Sequence, residues 1–128
     1  MVVIIMKRRP FYECKIYMGS VNYETKDVYS QDEIELHCGQ AQEEYDYVVP
    51  IRITETTFVS ETTYQEKGWE ITVIDYPKLS FTRKQIRNFM RYLAESLLYR
   101  FGQHTICISD KDEIMMLENM DISPSIKR

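Results

Sequence analysis

The chain has 128 residues and a formal charge of −4, enough for one domain with a modest single core. Its 44% hydrophobic and 28% charged content is that of an ordinary globule. The acidic balance argues against a general nucleic-acid binder, while leaving room for a local basic patch.

The ten tyrosines offer apolar area when buried and interface surface when exposed. The three cysteines, Cys14, Cys38 and Cys107, are far apart, odd in number and form no CxxC pair. They predict unpaired thiols in a reducing, cytoplasmic setting. His37 and His104 are the only two histidines, too few for a His-rich metal site.

Residues 1–10, "MVVIIMKRRP", form an N-terminal extension. An apolar run precedes a basic cluster, the reverse of a signal peptide, and nothing reaches membrane-spanning length. The run is either a short extra strand or, if translation starts at Met6, replaced by a basic arm.

"YECKIYM" then alternates, with Tyr12, Cys14, Ile16 and Met18 on one face, which predicts a half-buried strand. Residues 19–29 are polar and turn-like. Ser30 and Glu33 make a capping box that opens a helix carrying Ile34, Cys38, Ala41 and Tyr45 at helical spacing. Gly39 inside it costs about 1 kcal/mol relative to alanine. "VVPIRITETTFVS" and "TTYQEKGWEITVIDY" are rich in β-branched and aromatic residues and predict a long hairpin turning within residues 60–68. Its polar arms suggest an end that projects from the core or pairs with another chain.

A second capping box, Thr82 with Gln85, starts the strongest helix. Ile86, Phe89, Met90, Leu93, Leu97 and Phe101 form its stripe, and Gly102 sits where a C-terminal cap belongs. "HTICIS" predicts a short strand, which "EIMMLE" extends or follows as a second brief element. Residues 119–128 read as a loose tail, leaving 11–118 as the domain.

This β-α-β-β-α-β order predicts an α+β, ferredoxin-like sandwich: an antiparallel sheet with two helices on one face. Trp69, Ile71 and Val73 should point to the helices, and Glu70 and Thr72 to the open face. Tyr17, Ile74 and Tyr76 give that open face apolar area. With the exposed hairpin edges, they predict a homo-oligomer.

Two resemblances follow from quoted segments. "IYMGSV" is similar to the first-strand motif of RNA-recognition-motif domains, with Tyr17 in the base-stacking position, and Lys67, Gly68 and Trp69 fit the start of the third-strand motif. Glu70, Ile71 and Ile74 depart from it, and the alternation turns Trp69 away from the open face. More broadly, "YECKIYMGS", "WEITVI" and "LLYRFGQHTICIS" resemble small ferredoxin-like proteins of unknown function, often carried by phages and mobile elements. That resemblance implies a fold and brings no catalytic residues.

Asp110, Asp112 and Glu113 read as a solvated acidic turn, since an EF-hand needs more ligands and a glycine. Strand parity puts His104 and Cys107 on opposite faces, which disfavours a nucleophile–base pair. His37 and Cys38 read as a core-edge pair. No phosphate loop, nucleophile elbow or metalloprotease motif is present, so no cofactor and no metal are predicted. The anomaly is a basic ridge on the second helix: Arg83, Lys84, Arg87 and Arg91. Cations near a helix N-terminus, repeated four apart, are unfavourable, which marks the ridge as a candidate site for an anionic partner. The resulting expectation is a non-catalytic binding or regulatory module acting on a protein or anionic partner. The alternatives are an RNA- or single-stranded-DNA-binding protein on the open face, and a small enzyme without a recognisable motif.

Overall fold

The alternation of residues 12–18 becomes the centre of the molecule. In the computed structural model, which describes residues 1–46, 49–74 and 81–121, Tyr12, Cys14, Ile16 and Met18 are at most 2% exposed. They belong to or adjoin β1 (Glu13–Gly19), which is followed by α1 (Gln31–Tyr45), β2 (Ile51–Glu61), β3 (Tyr64–Ile74), α2 (Arg83–Arg100), β4 (Thr105–Ser109) and β5 (Ile114–Glu118). The strands form one antiparallel five-stranded sheet in the order β2-β3-β1-β4-β5. Without β5, this is the ferredoxin-like order expected from the sequence. "EIMMLE" forms a separate edge strand that turns back along β4.

Both helices start as predicted. Ser30 with Glu33 and Thr82 with Gln85 form reciprocal capping boxes. Helix α2 ends in a Schellman turn: Gly102 has φ +59°, its N–H donates to the Tyr99 carbonyl, and the Gln103 N–H donates to Leu98. The face of α2 bearing Ile86, Phe89, Met90, Leu93, Ala94, Leu97 and Leu98 is buried against the sheet. The Tyr45 ring meets Phe89 edge-on at 5.4 Å and so ties α1 to α2.

Parity along β3 follows the expectation. Trp69, Ile71 and Val73 are at most 2% exposed under the helices, and Glu70 lies opposite Tyr17 on the other face. Thr72 shares that open face but is itself buried, because Lys15 and Arg52 flank it on the neighbouring strands.

The acidic turn between β4 and β5 is built around one carboxylate. Asp110 accepts from the backbone N–H of Asp112 at 2.8 Å and of Glu113 at 3.1 Å, from the Tyr12 hydroxyl at 3.2 Å and from Arg87 at 3.3 Å. Burial pushes its pKa up, but these donors outweigh burial and hold it below the usual carboxylate value. The folded value therefore lies below the unfolded one of about 3.9. The stabilisation is full above that pH and is lost as pH falls through the folded value. Asp110→Ala should lower stability by about 1–3 kcal/mol at neutral pH, because it leaves the buried Tyr12 hydroxyl without this partner and removes the carboxylate that closes the turn. In urea titrations the gap to wild type should shrink on acidification; a gap independent of pH would refute this assignment.

Candidate active site on the open sheet face

Counting back from Trp69 by strand parity puts Gly68, Glu66 and Tyr64 on the open face, and register places Phe58 of β2 opposite Glu66. Gly19 of β1 faces Gly68 across the ladder. A methyl group at Gly68 would strike the Met18 carbonyl oxygen and the Phe58 ring, and one at Gly19 would strike the Glu66 carboxylate. The paired glycines thus form a depressed floor over which the Phe58 and Glu66 side chains lie. Gly68→Ala should displace the β1 backbone at Met18 as well as the Phe58 ring, at a cost of about 1–3 kcal/mol. An unchanged melting temperature in that variant would contradict the close packing.

Above this floor is a cavity of about 380 Å³. Tyr17, Tyr23, Phe58 and Tyr64 give it aromatic walls, and Gln103, His104, Thr105 and Cys107 close the β4 side. Among the described residues that border it, Glu66 is the one carboxylate, and there is no lysine or arginine. Its Oε2 accepts from the backbone N–H of Ser20 at 2.9 Å and of Val21 at 3.2 Å, and its Oε1 accepts from the Tyr64 hydroxyl at 2.7 Å. That last bond, with burial, raises the Tyr64 pKa, keeping the phenol protonated and donating.

The loop after β1 is held from below. The buried Gln103 accepts from the Gly19 N–H at 3.2 Å and donates to the Val21 carbonyl at 3.0 Å. The Tyr23 N–H donates to the Gly102 carbonyl at 2.8 Å, and the Tyr23 ring stacks on His104 with centroids 5.0 Å apart. The segment "KIYMGSV" therefore supplies Tyr17 as a wall and backbone N–H groups as clamps for the Glu66 carboxylate. Planar aromatic faces around one fixed negative charge suit a ligand with a flat ring and a cationic centre.

The expected site residues are not gathered here, Tyr17 excepted. Its hydroxyl lies 3.1 Å from the Ser109 hydroxyl, and its ring borders the cavity. Ile74 is on the open face but at the other end of β3, opposite Glu13. Tyr76 falls outside the described residues. The basic ridge lies in the helix layer. The Arg83 guanidinium sits 4.9 Å from the centre of the Tyr12 ring, Arg87 bridges Asp110 at 3.3 Å and Asp112 at 3.8 Å, and Arg91 pairs with Glu95 at 3.1 Å. Lys84 is exposed.

His104 and Cys107 do not lie on opposite faces as strand parity predicts. His104 precedes β4, in a bend, so strand alternation does not govern it. It borders the same cavity as Cys107. Burial pushes the Cys14 and Cys38 thiols up to about 12, which leaves them unreactive at neutral pH. Burial also lowers the pKa of His37, whose Nε2 lies 2.9 Å from the Ser96 hydroxyl. These groups stabilise the core and its edge.

The fold and cavity define a ferredoxin-like α+β domain with an added edge strand and an aromatic, anionic depression on its uncovered sheet face. No protein-family model matches this sequence, and no curated protein matches it. Two solved structures match its fold. One is a phage SAM lyase in complex with S-methyl-5'-thioadenosine, with TM-score 0.71 and 11% identity over 95% of this chain and 100% of that one. The other is a phage SAM lyase in the apo state, with TM-score 0.75 and 13% identity over 91% of this chain and 98% of that one. At such identity the likeness is one of fold. It overturns the expectation of a non-catalytic binding module, since the near-complete match is to an enzyme, and it favours the alternative of a small enzyme without a recognisable motif. It agrees with the resemblance to phage-carried proteins.

Proposed function

We propose that the chain is a lyase acting on S-adenosylmethionine, releasing S-methyl-5'-thioadenosine from a site on the open sheet face. The observation that carries this reading is the cavity itself: aromatic walls and, among the described residues, one carboxylate and no basic side chain, on a fold shared with phage SAM lyases. S-adenosylmethionine carries a sulfonium, an ammonium and a carboxylate, so it is a net cation attached to a flat purine. Glu66 supplies the counter-charge, and the ring faces of Tyr17, Tyr23, Phe58 and Tyr64 suit both the purine and the sulfonium.

The chemistry follows from the product. The bond between sulfur and the γ-carbon of the methionine part breaks, and its electron pair stays on sulfur as a neutral thioether. With no water added, the substrate's own carboxylate oxygen is within reach of that carbon and closes a five-membered lactone. Positive sulfur and negative oxygen neutralise each other in this step, so exclusion of water favours it. The protein's task is to fold the substrate into a near-attack shape, for which ordered intramolecular reactions show large effective concentrations. No protein group has to take up a proton.

We further propose that the chain works as a homo-oligomer, on the strength of its exposed sheet edges.

Binding offers the first test. S-methyl-5'-thioadenosine should raise the melting temperature of the wild-type protein by several degrees and that of Phe58→Ala much less. Equal shifts in both would place the nucleoside elsewhere, and no shift in the wild type would count against the reading.

A further inference from the structure

The first residues of the chain make an unusual surface. Val2, Val3, Ile4, Ile5 and Met6 are between 73% and 87% exposed, five consecutive apolar side chains in water. Such a run marks an interaction segment. Its β-branched character suits an extended strand, and being apolar on both faces it suits a place in a sheet where both faces are apolar.

The sheet offers one such edge. Strand β5 is the last in the order, paired with β4 alone, so its outer backbone groups have no strand partner among the described residues. Met115 and Leu117 pack against the core on one side, while Ile114 and Met116 are 66% and 59% exposed on the other. The opposite edge, β2, is less apolar: Arg52 and Thr54 are exposed on its open side, which has Phe58 as its large apolar residue, and Glu55 and Thr57 are exposed on its helix side. β5 spans five residues, the same length as the apolar run.

We propose that residues 2–6 of one copy add as a sixth strand to β5 of a second copy. In an antiparallel alignment Met6 lies beside Ile114, which places Lys7 and Arg8 next to the exposed Glu113 and Asp112. Main-chain hydrogen bonds supply the adhesion, the alternating apolar side chains cover both faces of β5, and the charge pairs set the direction. Each copy both donates and accepts a strand, so the exchange closes a symmetric assembly.

Light scattering on the full chain is expected to give a dimer or larger, with Ile4→Asp and Met116→Asp each reducing the mass to a monomer. Both positions are exposed in the single chain, so the domain should remain folded by circular dichroism. A crosslink that tolerates both native residues' neighbours gives an independent reading: Ile4→Cys on a tagged chain is mixed with Met116→Cys on an untagged chain and oxidised. A disulfide-linked pair of unequal chains is expected. Oligomer mass unchanged in both Asp variants, or a crosslink formed only when both cysteines are in the same chain, would overturn the proposal. The second outcome would mean that the arm folds back on its own β5.

Discussion

Glu66→Gln should lower the rate of S-methyl-5'-thioadenosine formation by about a hundredfold or more while leaving the protein folded. The change removes the one negative charge that borders the cavity among the described residues and alters its hydrogen bonding. Glu66 accepts from two backbone N–H groups and a tyrosine hydroxyl. A glutamine whose amide oxygen stays toward the Ser20 and Val21 N–H groups turns its NH2 toward the Tyr64 hydroxyl, which must then accept instead of donating. Loss of one partner of a desolvated charge pair costs about 2–5 kcal/mol, on the order of a hundredfold in kcat/KM. In the proposed complex the carboxylate holds the cationic substrate equally before and during reaction, so the loss should fall on KM more than on kcat. Activity within a few-fold of wild type would remove Glu66 from the site.

The largest stability effect should come from Phe89→Ala. Phe89 is fully buried between α2 and the sheet, with the Tyr45 ring edge-on against it. Truncating a buried phenylalanine costs about 3–5 kcal/mol through lost transfer energy and the cavity left behind. A domain of this kind has only about 5–15 kcal/mol in total. Urea unfolding should show a midpoint far below that of wild type, or a chain already partly unfolded without denaturant. A shift of less than about 1 kcal/mol would mean that the α1–α2 seam collapses around the void.

Most of the fold was legible because it rests on local signals. Two capping boxes, a Gly at the α2 terminus and the alternation in "YECKIYM" and "WEITVI" set the elements and their faces. β5 was harder, since "EIMMLE" has the same composition whether it continues a strand or turns back. Asp110 turns the chain locally: one carboxylate oxygen accepts from the Asp112 and Glu113 N–H groups, while Tyr12 and Arg87 hold the other. The cavity was half visible. Tyr17 and the two glycines lie in the segments that resemble RNA-binding motifs, a resemblance that points to these strands but not to a carboxylate between them. Glu66 and Tyr64 could have been found by extending the parity of Trp69 towards the turn. Phe58 needed the hairpin register, and Gln103, Tyr23 and His104 come from loops whose convergence no periodicity announces. The basic ridge stood out by its cost to an isolated helix, but the folded chain relieves that cost with Tyr12, Asp110, Asp112 and Glu95.

The central claim is that this cavity cleaves S-adenosylmethionine, and the most direct measurement is product analysis. Purified protein is incubated with S-adenosylmethionine labelled in the methionine part, and the mixture is separated by chromatography over time. Stoichiometric S-methyl-5'-thioadenosine and a labelled four-carbon lactone or its later hydrolysis product are expected, formed in proportion to protein and about a hundredfold more slowly by Glu66→Gln. Intact S-adenosylmethionine after prolonged incubation with folded wild-type protein, or S-methyl-5'-thioadenosine formed equally fast by the Glu66 variant, would contradict it.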